Sequence, residues 1–222
     1  MTAEVNDVNI REYNRPMTRS TYHHGDLRRA LLAEAQEIAR SDGPEAVTLR
    51  EVARRLGVSP AAIYRHFPDR DGLLGEVAAT ARLALARRML DEVERVDEPD
   101  RRVRSIRNFQ AIGRGYIRFA DEEPHLLVAA FLPIPPTGGE REDPNPWHVL
   151  AAALDELVAT GVMPRERRPG AEIVAWSAVH GFATLRAGRA FDVSGASDPD
   201  PEALLDAIAR SLELRVGEAP TT

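Results

Sequence analysis

Apolar residues recur three or four positions apart along most of the chain, and no stretch alternates convincingly as a half-buried strand does. The first such run begins at Leu27 and continues through Ala39. Asp42-Gly43-Pro44 follows it, where glycine suits the left-handed position after a helix and proline cannot continue one. We therefore predict a first helix that ends near Asp42, and an all-α protein.

Two short helices follow, separated by a tight turn. Thr48 and Glu51 form a predicted capping box, in which the Thr48 hydroxyl accepts from the Glu51 amide and the Glu51 side chain reaches back to the Thr48 amide. Gly57 ends this helix, and Ser59 is placed to cap the next, with Pro60 at its first position. A turn of this kind holds two helices at about 90–120°, so residues 48–67 are typical of a helix-turn-helix.

A long helix at 70–93 is predicted next, followed by a series of further helices. Pieces rich in proline, glycine and aspartate separate them. The remaining predicted helices are at about 100–121, 124–131, 146–160, 169–190 and 200–214. The predicted organisation is a tail at 1–20, a three-helix helix-turn-helix domain at 21–74 and a larger helical bundle at 75–222, with about nine helices in all.

Composition narrows the class of protein. The chain has 222 residues, of which 43% are hydrophobic and 29% charged, as in ordinary globular proteins. No apolar run reaches the ~20 residues that cross a bilayer, and the first twenty residues lack the apolar stretch of a signal peptide. Cysteine is absent, which excludes disulfides and thiolate zinc sites. We expect a soluble cytoplasmic protein without a membrane partner.

The charge is unevenly distributed. The net charge is −6, but residues 1–75 hold 11 arginines and 11 acidic residues, so the rest of the chain carries the whole excess of acid. All 29 basic residues are arginine. A neutral head on an acidic body can bind DNA if its arginines share one face.

The second short helix of the helix-turn-helix has the chemistry for such a face. Ile63 and Phe67 are one turn apart and are predicted to face the core, which leaves Tyr64 and Arg65 outward with His66 beside them. Such side chains suit contacts with phosphates and base edges in a major groove. The alternative is a plain helical hairpin with a solvated arginine face. Caps, turn and exposed aromatic together favour DNA binding.

Residues 21–74 closely resemble the DNA-binding domain of the TetR family of transcriptional regulators. The motifs are Thr48, then Leu56-Gly57-Val58-Ser59, then Ile63-Tyr64-Arg65-His66-Phe67, followed by a basic residue and Leu73-Leu74. The resemblance implies contacts from Thr48, Tyr64 and His66 to the sugar-phosphate backbone. It also places Arg70 where the family usually has a phosphate-binding lysine. The full set of expected DNA contacts is Thr48, Arg50, Ser59, Pro60, Ala62, Tyr64, Arg65, His66 and Arg70.

Base reading should fall on two arginines. In the family, the positions of Arg50, Pro60, Ala62 and Arg65 read bases, but Pro60 and Ala62 offer no side-chain hydrogen bond. Direct readout is therefore expected from Arg50 and Arg65.

The segment Tyr22-His23-His24-Gly25-Asp26-Leu27 resembles a motif that precedes the first helix in one subset of the family. Two adjacent histidines diverge, and no carboxylate pattern accompanies them, so we predict no metal site here. Capping of the first helix or a phosphate contact is the favoured role.

The C-terminal part shows a second resemblance. Trp176 and His180-Gly181 are similar to a Trp…His-Gly signature in the effector domain of some TetR-like regulators. This implies a helical domain that binds a small ligand and dimerises. Most of the large aromatic residues lie here, although for each of them an ordinary core position is the alternative, and His180 can equally be a core histidine bonded to a backbone carbonyl. The candidate ligand-binding residues are Phe109, Tyr116, Phe119, Trp147, Trp176 and His180.

Dimerisation is predicted through the helices at 169–190 and 200–214. The last helix has an apolar stripe from Leu204 to Leu214, more than a terminal helix needs if it lies alone. A two-fold homodimer would place two recognition helices about one duplex turn apart or a small multiple of it.

The predicted function is a sequence-specific DNA-binding regulator, a repressor that a small-molecule effector releases from its operator, with the helix at 70–93 as the mechanical link. One alternative is a constitutive DNA-binding protein without an effector, which a filled core would favour. Another is an enzyme with a DNA-binding head, but the motifs of the common hydrolases, nucleotide-binding loops and metalloproteases are missing. No catalytic residue, cofactor or metal is predicted.

Overall fold

The computed structural model describes residues 24–134, 144–194 and 199–216, except for the side chains of residues 24–26 and 194. These residues form ten α-helices and two short 3₁₀ helices, at Pro44–Ala46 and Arg165–Arg167. The α-helices are α1 (His24–Asp42), α2 (Leu49–Arg55), α3 (Pro60–Tyr64), α4 (Arg70–Glu94), α5 (Arg101–Glu122), α6 (Pro124–Ala130), α7 (Pro146–Ala159), α8 (Ala171–Ala187), α9 (Ala190–Ser194) and α10 (Pro201–Ser211). The all-α prediction is confirmed, with an N-terminal helix-turn-helix and a C-terminal helical domain.

Two helices differ from the predicted pattern. The recognition helix α3 ends at Tyr64, three residues before Phe67, and Arg65 forms its C-cap. The helix predicted at 169–190 ends at Ala187, and a separate short helix, α9, begins at Ala190 and continues to Ser194, where a turn was expected. An ion pair between Arg189 and Asp192, at 2.8 Å, spans its first turn, and no apolar period announces a helix of five residues.

The predicted caps are formed in part. The Thr48 hydroxyl accepts from the Glu51 amide at 3.1 Å, but the carboxylate of Glu51 turns to two arginines of α2 instead of to the Thr48 amide. Ser59 occupies the N-cap position of α3 without a side-chain capping bond, so that expectation is wrong. Asp69 caps α4 by accepting from the amide of Gly72 at 2.7 Å.

The turn between α2 and α3 is fixed by backbone bonds. The amide of Val58 donates to the carbonyl of Ala53 at 3.0 Å, and that of Gly57 to the carbonyl of Arg54 at 3.2 Å. This pair of bonds is a Schellman motif, which needs a left-handed residue after the helix. Gly57 supplies it with φ of 65°. Ile63 is completely buried, which turns the opposite side of α3 outward.

Helix α4 joins the two parts of the chain, because it packs on α1 at one end and on α5, α6 and α7 further along. The predicted domain boundary at 74/75 thus falls inside one continuous helix. The helices α4 and α5 cross closely at Gly115, where a β-carbon would lie 2.7 Å from the Cα of Met89. The buried side chains form one cluster that runs from α1 to α10.

The apolar stripe of α10 is covered within its own chain. Leu205, Ile208 and Leu212 are buried, and α10 packs against α5 and α8. This packing removes the apolar surplus that suggested a dimer contact for this helix. In the described ranges, no helix is both long enough and apolar enough to cross a membrane.

Candidate nucleic-acid interface and internal cavity

The outer side of α3 carries the residues expected to meet DNA. Tyr64 is 50% exposed, and Arg65 lies next to it in solvent. Ser59 and Pro60 are exposed at the start of the helix, whereas Ala62 and His66 are half-buried. This small surface therefore presents one aromatic hydroxyl and one guanidinium.

Two arginines near this surface have side chains that are available for contacts with DNA. Neither Arg50 nor Arg65 has a hydrogen bond or an ion pair with the described part of the chain. Arg54 and Arg55, by contrast, are both bound by Glu51, whose oxygens lie 2.6 Å from Arg54 Nη2 and 2.9 Å from Arg55 Nε. The hydrogen bonds from these guanidiniums lower the pKa of Glu51 to about 2, so its charge persists at neutral pH. The arginines expected to read bases are thus those that no carboxylate of the described residues binds.

Arg70 has a different role from the one its position implied. Its Nε donates to the carbonyl of Val47 at 2.7 Å, and its Nη2 donates to those of Pro44 and Glu45 at 3.0 and 3.3 Å. These bonds tie the 3₁₀ helix before α2 to the first residue of α4. Only Nη1 is left for a phosphate, so a contact between Arg70 and DNA stays a prediction beside this structural role.

Thr48 can serve the helix and DNA together. Its oxygen accepts the Glu51 amide, which leaves the hydroxyl hydrogen of this exposed residue for a phosphate oxygen.

The C-terminal domain contains a small cavity of about 30 Å³, lined by residues of α4, α5, α7, α8 and α10. It brings together Phe109, Tyr116 and Trp176 from the predicted ligand site. Phe119 is buried elsewhere in the core and does not line it. A cavity of this size holds about one or two water molecules, so a larger occupant has to displace part of the wall.

Buried Tyr116 and half-buried His180 form a polar pair. The hydroxyl of Tyr116 lies 2.6 Å from Nδ1 of His180, so a tyrosine, not a backbone carbonyl, satisfies this histidine. Burial lowers the pKa of His180 and raises that of Tyr116, which keeps both groups uncharged at neutral pH. The cavity therefore has one neutral hydrogen-bonding element in an apolar wall.

An aromatic cluster adjoins this pair. The ring of Trp147 lies 5.6 Å from that of Trp176, and Phe131 stands edge-on to Trp176 at 5.7 Å and to His180 at 5.3 Å. Trp147 and Phe131 are 38% and 37% exposed, so the cluster reaches the surface. Phe131, the C-cap residue of α6, was not among the candidate ligand-binding residues, because nothing in its spacing along the sequence distinguishes it.

A larger open groove of about 390 Å³ lies between α4, α5 and α7. Sequence reasoning missed it, because its walls are mostly small or polar residues such as Ala152, Ala153 and Asn108. No motif marks such a surface, and it exists only where three helices meet.

His23 lies outside the described residues, and nothing is described of the His24 side chain. Across the described ranges, no three histidine, aspartate or glutamate residues converge as a metal site would require.

Comparison with known proteins extends these observations. Residues 31–77 match the model of the family described as bacterial regulatory proteins, tetR family, and residues 109–212 match that of the tetracyclin repressor-like C-terminal domain. The HTH-type transcriptional regulator YobS of Bacillus subtilis is 24% identical over 168 residues, which cover 76% of this chain and 83% of YobS.

Solved structures agree with this assignment. A protein of unknown function from Rhodococcus sp. RHA1 is 32% identical, with a TM-score of 0.64 over 87% of this chain and 98% of that one. A TetR regulator from Streptomyces coelicolor has the same fold at 18% identity, with a TM-score of 0.60 over 83% of this chain and 95% of the other.

Proposed function

The chain belongs to the TetR family of DNA-binding transcriptional regulators, and from this premise we propose that it is a repressor, which leaves its operator when a small molecule occupies the C-terminal domain. The observation that carries the DNA-binding part is the pair of unbound guanidiniums at Arg50 and Arg65, on either side of the turn that Gly57 fixes. Each can form a bidentate contact with a guanine edge. Thr48 and Tyr64 supply backbone contacts.

Binding to duplex DNA selected from a random pool tests this assignment. Measured by fluorescence anisotropy at fixed salt, Arg65→Ala should weaken the selected sequence by about 1–3 kcal/mol while non-specific binding changes little. Arg107→Ala is the matched control, because this exposed arginine of α5 lies in the C-terminal domain. If both Tyr64→Ala and Arg65→Ala leave specific binding intact, α3 is not the recognition helix.

We propose that a second copy of the chain covers α8. Ile173 and Val174 are 60% and 48% exposed, and Leu185 is 49% exposed three turns further along the same side. Gly181 lies between them, and a β-carbon there would meet no heavy atom within 4 Å among the described residues. An open apolar stripe with room for close helix approach suits a two-fold interface.

The oligomeric state tests this interface. In sedimentation velocity, Val174→Glu should shift the protein towards the monomer, whereas Ala207→Glu on the exposed, polar side of α10 should do so only if that helix also contributes, as the predicted segment 200–214 implies. A dimer that survives both substitutions would place the interface elsewhere.

The effector part of the proposal rests on the space near α5 and on what connects it to the DNA-binding domain. Met89 of α4 lines the cavity, and α4 begins at Arg70 beside the helix-turn-helix. A ligand that prefers one position of α4 shifts the spacing of the two heads and so lowers operator affinity. A constitutive DNA-binding protein is the alternative, and the 390 Å³ groove is the observation that favours ligand control over it.

A further inference from the structure

The groove and the cavity lie back to back, separated by one layer of side chains. On each of three helices, two consecutive residues line the two different spaces. Leu90, Asn108 and Val149 line the outer groove, and a residue next to each of them in the sequence lines the inner cavity. The inner members of these pairs are Met89, Phe109 and Leu150.

Ile112 is the residue that both spaces share. It is 5% exposed, and it lines the inner cavity and the outer groove alike. Its β-branched side chain has one strongly preferred rotamer in a helix, so it divides the two spaces in a defined position. It is the one residue of the described chain that lines both spaces, so its displacement offers the most direct route between them.

The two spaces differ in chemistry. Among the described residues, no charged side chain lines the inner cavity, and the hydroxyl of Tyr116 is already bonded to His180. The groove contains several polar groups, of which Ser105 bonds to a carbonyl and Asn145 caps α7. The side chains of Asn108 and His148 make no such bond with the described part of the chain, so both are available to a ligand in the groove.

The charge of the groove restricts the head group of that ligand. Glu156 lines the groove and pairs with Arg101 at 2.9 Å, and no arginine is among the described residues that line it. A carboxylate or phosphate would meet an acid and no arginine, and an ammonium would find both oxygens of Glu156 already bonded to Arg101. A hydroxyl or an amide can both donate to and accept from Asn108 and His148, and a carbonyl can accept from them.

We propose that the effector is an uncharged amphipathic molecule, whose head group binds Asn108 and His148 in the groove while its slender apolar tail passes Ile112 into the inner cavity. This inference rests on the proposed function, because it identifies the ligand class of the same domain. The volume of the groove, about 390 Å³, suits the head and the first part of the tail. The cavity of about 30 Å³ accepts the end of the tail once Ile112 moves aside.

Straight-chain alcohols test the proposal with the full-length protein and without DNA. Of the two tryptophans of the chain, Trp176 lines the inner cavity, whereas Trp147 lines neither space and stands next to His148 of the groove. In a Trp147→Phe background, tryptophan emission therefore reports on the cavity, whereas calorimetry reports on binding to either space. We expect n-butanol to bind without a change in emission, and n-octanol and n-decanol to change it. Affinity should rise about three- to fourfold for each methylene that the apolar space takes up.

Two matched variants separate the partition from a general loss of packing. Ile112→Ala should bring the change in emission to a shorter alcohol and strengthen n-hexanol binding several-fold. Ile106→Ala removes the same atoms from the same helix at a position that lines neither space, and it should behave as the wild type does. The proposal is overturned if the two variants respond alike, or if no alcohol alters the emission.

Charged analogues test the ligand class. Octanoate and octylammonium have the tail of n-octanol, and binding of either as tight as that of n-octanol would overturn the uncharged head. Asn108→Ala should weaken n-octanol binding at least threefold without shifting the chain length at which the emission responds. If the wild-type protein binds its operator but no alcohol binds, this inference alone is rejected. If the wild-type protein shows no sequence-specific binding to DNA, the proposed function is rejected.

Discussion

Glu51→Gln should make DNA binding more dependent on salt, because it releases an arginine that the protein now holds. In the folded protein, Glu51 binds both Nε and Nη2 of Arg54, at 2.8 and 2.6 Å. Arg54 lies one turn after Arg50, so it faces the same side of α2. The cap of α2 survives the substitution, since Thr48 accepts from the backbone amide of residue 51.

The structure sets the size of the effect at one arginine, not two. Arg55 also loses its bond to residue 51, but it keeps Asp42 at 2.9 Å and so remains on the protein. Each new phosphate contact changes the slope of log affinity against log salt by about −0.9. We therefore expect the slope to steepen by about 0.9 for each bound subunit, which at 0.1 M salt is a gain of roughly eightfold relative to 1 M.

Anisotropy titrations over a range of salt concentrations on one DNA duplex measure this slope. Glu45→Gln is the matched control, because it also removes one negative charge from this domain. The side chain of Glu45 is 91% exposed, and its one ion pair among the described residues, with Arg70, is long at 3.8 Å. If Glu51→Gln and Glu45→Gln give the same slope, general electrostatics explains the change and Glu51 does not restrain Arg54. A steepening near 1.8 for each bound subunit would show that Asp42 fails to hold Arg55.

Three further substitutions or titrations test the structure. Gly115→Ala should lower the free energy of unfolding by about 1–3 kcal/mol in urea denaturation, because its β-carbon meets backbone atoms of Arg88 and Met89, and an unchanged free energy of unfolding would contradict the close crossing. Arg70→Gln should lower both the midpoint of unfolding and the affinity for DNA. Arg70→Lys should restore the affinity but not the midpoint, since one ammonium cannot replace a guanidinium that donates to three backbone carbonyls. The carboxyl of Glu51 should titrate near pH 2 by NMR, because its pKa is lowered from the usual 4.5 to about 2. The stabilisation from its ion pairs is therefore complete above pH 4.5 and is lost as the pH falls towards 2. A titration midpoint near 4.5 would contradict the contacts with Arg54 and Arg55.

The helix-turn-helix was predictable because its signals are local. The turn depends on the positive φ of one residue, Gly57, and the cap of α2 depends on a bond between Thr48 and the amide three residues later. The second half of the capping box failed for a reason that is also local. Glu51 has arginines three and four positions on, and a bidentate ion pair with them competes successfully with one backbone amide.

Other features depend on contacts distant in sequence. The bonds of Arg70 to the carbonyls near Pro44 require that α4 begins beside the 3₁₀ helix, a proximity that no spacing encodes. Likewise, the sequence separation of seven residues between Phe109 and Tyr116 suits two residues on one side of a helix, and both line the cavity, but no spacing shows that Asn108 faces a second space. Adjacent residues diverge by about 100° on a helix, so which of the two meets a ligand depends on where the neighbouring helices pack.

The connection between the two parts of the molecule is broader than the single long helix that the sequence indicated. At its start, α6 contacts α1, where the carboxylate of Glu123 accepts from Arg40 Nε at 3.0 Å and Nδ1 of His125 lies 3.0 Å from the carbonyl of Arg40. At its end, Phe131 packs on Trp176 in the aromatic cluster. Under the proposed ligand control, a ligand that moves Trp176 would act on α6 through Phe131, and one that moves Met89 would act on α4. Because α6 contacts the end of α1, its displacement would also reach the core of the helix-turn-helix, so in this proposal the position of the DNA-binding domain depends on two parallel contacts and not on α4 alone.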